Sequence, residues 1–315
     1  VGARIVPVAL GAALSVGAAL SLVTPGVRAA SDEALPQPPA AAKSKGKTKA
    51  TGATAGAARR APLPAERLDA LRAALLGADD AAALEAATAL GASGAPNASD
   101  LLVEALATGG APSRTEAALD ALGKLAAGGA LAQPGDRVVE VLELYAGHRV
   151  PDLRRRAVKA LGAIRDARVA PAVTPVLLAR LGDAAPDVRA AAGEALAARR
   201  ETKAAGRLYA LVKRGDVGAA GPLAALATPD LVPQIAELAG SIDDGVLATA
   251  LGEYVKRDDV PDKLRVDVLR TIGGLAGADA TTALVEYVAS VPARDNRPSR
   301  REAQKLLDQR GSGKP

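Results

Sequence analysis

Side chains able to exchange protons, attack a substrate or hold a metal are scarce in this chain of 315 residues. It has one histidine, His148, and no cysteine, methionine, tryptophan or phenylalanine. A single imidazole cannot build a paired His/Cys metal site, and without a thiol there is no cysteine nucleophile. The acidic doublets Asp79-Asp80, Asp243-Asp244 and Asp258-Asp259 have the composition of an acid/base pair. Each stands at a predicted helix start or in a turn, where a carboxylate accepts from free backbone N–H groups and meets the positive end of the helix dipole. His148 also falls in a predicted turn, so a structural reading stands beside that of a lone base. Asn97-Ala98-Ser99 has the form of a glycosylation acceptor and equally that of a helix start. No GxSxG, Walker-type loop, GxGxxG or calcium-loop pattern occurs. The expectation is a protein that is not an enzyme, with no cofactor, no metal and no small-molecule substrate.

What such a chain positions, it positions through helices. Between Arg168 and Arg200, Val173, Val176, Leu177 and Leu181 recur at helical spacing, and so do Val188, Ala192, Ala195 and Leu196. Pro186 suits a first helical position, since the N–H it lacks would have no partner there, and Asp187 follows it. The signature recurs. Pro151-Asp152-Leu153-Arg154 leads to Ala160-Leu161-Gly162, Pro112 leads to Ala121-Leu122-Gly123, and Pro261-Asp262 leads, with one inserted residue, to Arg265 and Ile272-Gly273. A weaker echo starts at Pro298.

One helix pair cannot bury its apolar face alone, so pairs repeating at this period must stack. The predicted fold is all-α, an α-solenoid of about seven stacked antiparallel helix pairs. The pairs read as 64–92, 97–127, 134–165, 168–200, 202–227, 243–276 and 279–310. A further helix near 230–240 has no partner in this scheme. Tyr145, Tyr209, Tyr254 and Tyr287 set the phase, which makes 243–257 a first helix. With these four tyrosines as the only aromatics, the core must be Leu, Val, Ile and above all Ala. Such a core lets helices approach closely but contributes little apolar area per residue.

At this point the residues resemble the HEAT-repeat family. That family has a proline within its first helix, an aspartate in the following turn and a Val-Arg pair opening the second helix; Pro175, Asp183, Val188 and Arg189 occupy these places. The resemblance implies that Asp183 and Arg189 join a ladder of hydrogen bonds between neighbouring repeats. Asp295 with Arg301, and Asp258 or Asp259 with Arg265, would be further rungs. Arg154 would form another, but His148 stands where its aspartate is expected. The likeness covers about residues 64–310, and the short repeats make short bacterial HEAT-like arrays the nearer comparison. The family lines a concave surface with its second helices. On the helix from Pro151, Arg155, Arg156 and Lys159 lie off the apolar stripe as a local basic cluster, a candidate for docking an acidic segment of a protein partner or simply a solvated face.

The amino-terminal stretch differs in kind. Residues 5–23 form an Ala/Gly/Val/Leu run preceded by Arg4 and followed by Val27-Arg28-Ala29, the order of an export signal cleaved after Ala29 or Ala30. Bilayer spans take ~20 apolar residues, so an uncleaved membrane anchor over 1–30 is the alternative. Residues 31–63 are rich in Pro, Ala and Lys and read as a disordered linker, and 311–315 as a short tail. The chain is +5 overall, and its first 63 residues hold eight basic and two acidic side chains, so the remainder is close to neutral at −1. Nucleic acid is therefore not an expected partner of the array, because phosphate binding needs a sustained basic surface. Lys43, Lys45, Lys47 and Lys49 of the linker could contact an anionic envelope surface or stay solvated.

The leading expectation is an exported, periplasmic or extracellular scaffold that binds a protein partner in the cell envelope. One alternative is an accessory subunit of an enzyme, since some short bacterial HEAT-like proteins resemble chromophore lyase subunits. Another is a structural spacer tethered at its amino terminus. N-terminal sequencing of the protein extracted from its cells is expected to begin near Ser31; a chain beginning upstream of Ala29 would support the anchor.

Overall fold

The computed structural model describes residues 61–131 and 136–312. The expected export signal or anchor, the linker up to residue 60 and the last three residues of the tail lie outside the described residues. Among the described residues there is no strand. Helices run in order as α1 (Ala65–Leu76), α2 (Asp80–Ser93), α3 (Ala98–Thr108), α4 (Pro112–Ala127), α5 (Asp136–Ala146), α6 (Pro151–Ala163), α7 (Ala170–Arg180) and α8 (Pro186–Ala198). They continue as α9 (Ala205–Val212), α10 (Ala220–Leu226), α11 (Val232–Ala236), α12 (Asp244–Val255), α13 (Asp262–Gly274), α14 (Gly277–Ser290) and α15 (Pro298–Gly311). Short 3-10 turns, Thr202–Ala204 and Val217–Ala219, lead into α9 and α10.

Local chemistry sets the helix starts. Proline opens α4, α6, α8 and α15, while the side chains of Asp79 and Asp243 accept backbone N–H groups at the starts of α2 and α12. Asn97, at a predicted helix start, does something else. Its Nδ2 donates to the Leu63 carbonyl at 3.0 Å and its Oδ1 accepts the Leu63 N–H at 2.9 Å, which clamps the chain ahead of α1 instead of capping α3.

Packing organises the helices into two rows. One row is tight: α2 lies on α4, α4 on α6, α6 on α8, α8 on α10, α10 on α12 and α12 on α14. Its axis of burial is one leucine per helix, Leu90, Leu122, Leu161, Leu196, Leu223, Leu251 and Leu284, all fully buried. Small residues flank these leucines and let the backbones close. A Cβ on Gly91 would lie 2.8 Å from the Cα of Ala121, one on Gly162 would lie 2.5 Å from the Cβ of Ala195, and one on Gly252 would lie 2.8 Å from the Cβ of Ala283. Only glycine fits there. In the other row α1, α3, α5 and α7 touch one another less extensively.

The structure corrects the phase beyond residue 230. Helix α12 stacks on α10 in the row of second helices, although the tyrosine alignment makes it a first helix. Helix α11 packs on α12 and α13, and Gln234 of α11 accepts the Tyr209 hydroxyl of α9 at 3.5 Å, so α11 belongs to the other row. It is a first helix cut to one turn, with Pro233 inside its start and Gly240 at φ 74° beyond its end. The described helices thus make seven consecutive pairs with α15 packed over the end, on α13 and α14. The tyrosines misled because Tyr145 and Tyr209 sit in one row and Tyr254 and Tyr287 in the other. Tyr145, Tyr254 and Tyr287 are buried in the core.

Two glycines one repeat apart test the close approach. In an open helix position Gly→Ala stabilises by about 1 kcal/mol, whereas overpacking costs about 1–3 kcal/mol. A Cβ on Gly123 would meet Ala160 at an ordinary 3.5 Å. Gly123→Ala is therefore expected to raise the melting temperature and Gly162→Ala to lower it; the reverse order in thermal melts would show that the row is not packed at this distance.

Candidate interaction surface and the arginine ladder

Each turn between a first and a second helix in the middle of the array is built around an acceptor side chain two residues before a backbone N–H. Asp183 Oδ1 accepts from Ala185 at 2.9 Å, and Asp216 Oδ1 accepts from Gly218 at 3.1 Å. His148 holds the same place in the α5–α6 turn, and its Nδ1 accepts from Val150 at 3.1 Å. A neutral imidazole thus does the local half of the aspartate's work, and its ring stacks on Tyr145 with centroids 5.9 Å apart.

The other half is a guanidinium from the preceding repeat. Arg154 holds Asp183 with two hydrogen bonds, Nε to Oδ2 at 2.8 Å and Nη2 to Oδ1 at 2.7 Å, while its Nη1 donates to the carbonyls of His148 and Arg149 at 2.9 and 3.1 Å. Arg189 repeats the arrangement one step on. Its Nη1 donates to the carbonyls of Asp183 and Ala184 at 2.9 and 3.1 Å, and its Nε donates to Asp216 Oδ2 at 2.5 Å. Asp183 and Arg189 are therefore both in the ladder but not paired by their side chains, since each arginine satisfies its own turn through carbonyls and takes its carboxylate from the next repeat. Where His148 replaces aspartate, the corresponding place in the preceding helix, α4, holds Thr115 in place of arginine, so no cation is left waiting. Tyr145 fills that junction by donating to the Leu106 carbonyl at 2.8 Å.

The other expected rungs differ. Arg265 is buried and donates from Nε to the Val255 carbonyl at 3.0 Å and from Nη2 to the Arg257 carbonyl, with no carboxylate among the described residues; Asp259 is held by Arg257. Asp295 is held by Arg297, Nε to Oδ2 at 2.8 Å, and not by Arg301, which is exposed on the outer side of α15. No helix follows α15 among the described residues to offer such an arginine a carboxylate.

Sequence reading looked for aspartate partners and missed a second set of arginines, whose partners are carbonyls at helix ends. Arg180 reaches the Ala146 carbonyl at the end of α5 at 3.0 Å, Arg207 reaches Leu178 of α7 at 2.9 Å, and Arg257 reaches Ala224 and Ala227 at the end of α10 at 2.9 and 2.8 Å. Arg165 and Arg199 cross: one donates to the Ala198 carbonyl at 3.0 Å, the other to the Ile164 carbonyl. The only signal was an arginine near the end of so many helices.

The α6 cluster is a closed charge network. Arg155 donates to Asp152 Oδ1 at 3.0 Å; Arg156 donates to Asp152 Oδ2 at 2.7 Å and to Glu116 Oε2 at 3.2 Å, and also to Asp120, which ties α6 to α4. Hydrogen bonds from Arg155 and Arg156 hold the Asp152 carboxyl below its ordinary range. Lys159 stands exposed beside them, with no ion pair among the described residues. A longer basic stretch lies elsewhere in the array. Residues 199–214 hold Arg199, Arg200, Lys203, Arg207, Lys213 and Arg214 against the single carboxylate of Glu201. Among the described residues no group of three or more His, Cys, Asp or Glu side chains is placed to hold a metal ion, and no helix is long and apolar enough to cross a membrane.

The ladder has a pH signature. Burial works against the Asp183 charge, but the Arg154 guanidinium and the Ala185 N–H outweigh it and hold the carboxyl below its ordinary range. A carboxylate depressed in the folded state contributes stability that is complete above its unfolded value near 3.9 and is lost as the pH falls through the lower folded value. Asp183→Asn is expected to remove this part of the acid dependence below about pH 4. Arg189→Ala leaves Asp216, whose side chain is 8% exposed, without its cation and should cost about 3 kcal/mol. Arg155→Ala breaks one partly exposed pair on a single helix and should cost no more than about 0.5 kcal/mol. Thermal melts in which Arg155→Ala is the more damaging change would overturn the assignment of the ladder.

Residues 124–197 and 139–220 match the family model of HEAT repeats. No curated protein has a sequence that matches this chain. Among solved structures it is similar to the complex of CpcE and CpcF of phycocyanin lyase from Nostoc sp. PCC7120, at 21% identity and a TM-score of 0.39, over 80% of this chain and 97% of that one. It is also similar to Kap121p, at 14% identity and a TM-score of 0.47, over 76% of this chain and only 28% of that one. An engineered protein is similar at 19% identity and a TM-score of 0.39, over 78% of this chain and 68% of its own. The family match falls on the repeats where Arg154 meets Asp183 and Arg189 meets Asp216, and residues 124–220 carry HEAT repeats.

Proposed function

We propose that the array is a non-enzymatic scaffold that binds a protein partner along its tight row of helices. The observation that carries this is a register. The residue before each central Ala-Leu pair is exposed in α2, α4, α6, α8, α12 and α14: Thr88, Asp120, Lys159, Glu194, Thr249 and Thr282. Packed helices lie about 8–10 Å apart, so the row offers one outward side chain per such step. Every one of them is polar, with threonines towards both ends and charges of alternating sign between. A linear series of that kind suits an extended segment of another protein. Because Arg155 and Arg156 are held by carboxylates, Lys159 is the member of the α6 cluster that faces a partner. The finer part of the proposal places that partner in the cell envelope and rests on the export-like run at residues 5–23 alone.

A photo-crosslinking residue introduced at Lys159 or Glu194 is expected to give a discrete adduct in extracts of the source cells, and one at Glu140, exposed on α5 in the other row, is not. Lys159→Ala with Glu194→Ala should abolish partner recovery while the melting temperature stays within about 2 °C of the parent. Equal adducts from both rows, or none from either, would leave a spacer.

A further inference from the structure

We infer that the outward face of α9 with its flanking turns is a second docking surface, whose partner is an acidic segment of a protein. The inference rests on the scaffold reading and adds a site on the opposite row. Arg200, Lys203, Arg207, Lys213 and Arg214 are all exposed and none of them makes an ion pair among the described residues; Arg207 gives one N–H to the Leu178 carbonyl and keeps its charge unpaired. The exposed positions Lys203, Arg207, Ala210 and Arg214 follow the helical period, while Ala204, Ala205, Leu208, Leu211 and Val212 are buried beneath them. The cations from Lys203 to Arg214 therefore form one stripe about 16 Å long.

No carboxylate makes an ion pair with this stripe among the described residues, and the through-space attraction of Asp259 reaches only Arg200 at its edge. Helix α7 on one side contains no carboxylate, and Glu201 accepts from the Thr174 hydroxyl at 2.7 Å. Asp216 is taken by Arg189 and Asp259 by Arg257. Burial and the nearby Arg165 push the Arg199 guanidinium below its ordinary range, with Glu201 the one charge opposing them. Arg200 has φ 57°, the one non-glycine residue at positive φ among those described. Glycine or asparagine would be relaxed there, so a charged side chain is held at a conformational cost.

The surroundings select the class of partner. The stripe carries +5 net, while the rest of residues 64–315 carries −6, so an extended polyanion such as a duplex, or a broad anionic membrane, would meet a net acidic array beyond the stripe. Between the cations from Lys203 to Arg214 the exposed residues are Gly206 and Ala210, with no large apolar side chain to enter a lipid surface, and the half-buried Tyr209 has its hydroxyl on the Gln234 carbonyl. A short run of Asp and Glu matches both the length and the charge, and the arginines at its ends can hold carboxylates through two N–H groups each.

The test uses the full chain and a photo-reactive oligoglutamate peptide at physiological salt, with adducts mapped by mass spectrometry. Adducts are expected within residues 200–214 besides any on the Lys-rich stretch 43–60. Lys203→Glu with Lys213→Glu and Arg214→Glu should weaken that labelling by about tenfold or more, and Lys159→Glu should not. If the triple variant melts lower than the parent, Lys203→Gln with Lys213→Gln replaces it, and labelling must still fall. Adducts confined to 43–60 or to α6, or tighter binding of phosphatidylserine vesicles or duplex DNA that the triple variant loses, would overturn the inference. Loss of α9 labelling alone, with the adducts at Lys159 and Glu194 intact, would remove this site and leave the scaffold reading standing.

Discussion

The structure depends on how closely the helices of one row can approach. A chain whose only aromatics are four tyrosines and which has no cysteine cannot fill wide gaps or staple itself, so it must bring backbones together and bury many small groups. Glycine at positions 91, 162 and 252 removes the one atom that would hold neighbouring helices apart, and alanine on the facing helix fits into the space. The leucine between them is then enclosed by three successive helices. Stability is spread over repeated, similar contacts, so each repeat depends on its neighbours and little on distant parts of the chain.

Close stacking creates a polar difficulty that arginine resolves. Every helix ends with carbonyls that have no partner within it, and tight packing screens many of them from water. A guanidinium on a long stem reaches from one repeat to the end of a helix in the neighbouring repeat and brings positive charge to the negative end of its dipole. Arg180, Arg207, Arg257 and the crossed pair Arg165 and Arg199 do this, and Arg154 and Arg189 add a carboxylate from the following turn. The arrangement is not free of cost. The Nε groups of Arg180, Arg199, Arg300 and Arg310 are buried without an acceptor, because a rigid fork of five donors seldom finds five partners in one place.

This use of charge decides where function can lie. Arginines consumed at helix ends or in turns hold repeats together, and the charges of α6 largely cancel one another. What remains for a partner is the polar series of exposed residues on the tight row and the uncompensated stripe on α9. The two surfaces lie on different rows of the array.

The resemblance to HEAT repeats, and not spacing, pointed to Asp183 and Arg189 as ladder residues and left Arg154 without its aspartate; the sequence alone determined the repeat, the helical class and the proline and aspartate helix starts. These follow from spacing within one or two turns of chain, where a proline or an aspartate acts on its own backbone. It also held the signal for the row of α12, since Ala250-Leu251-Gly252 repeats Ala89-Leu90-Gly91, Ala121-Leu122-Gly123 and Ala160-Leu161-Gly162, but the tyrosines outweighed it. Only the tertiary structure decided that Arg189 takes Asp216, that Arg297 and not Arg301 takes Asp295, that the α6 arginines are neutralised, and that the α9 cations are not. Row membership and the pairs between repeats, such as Arg189 with Asp216, depend on side chains some thirty residues away in sequence and one helix away in space, and even the short-range pair of Arg297 with Asp295 is chosen by how the turn folds, which no local period records.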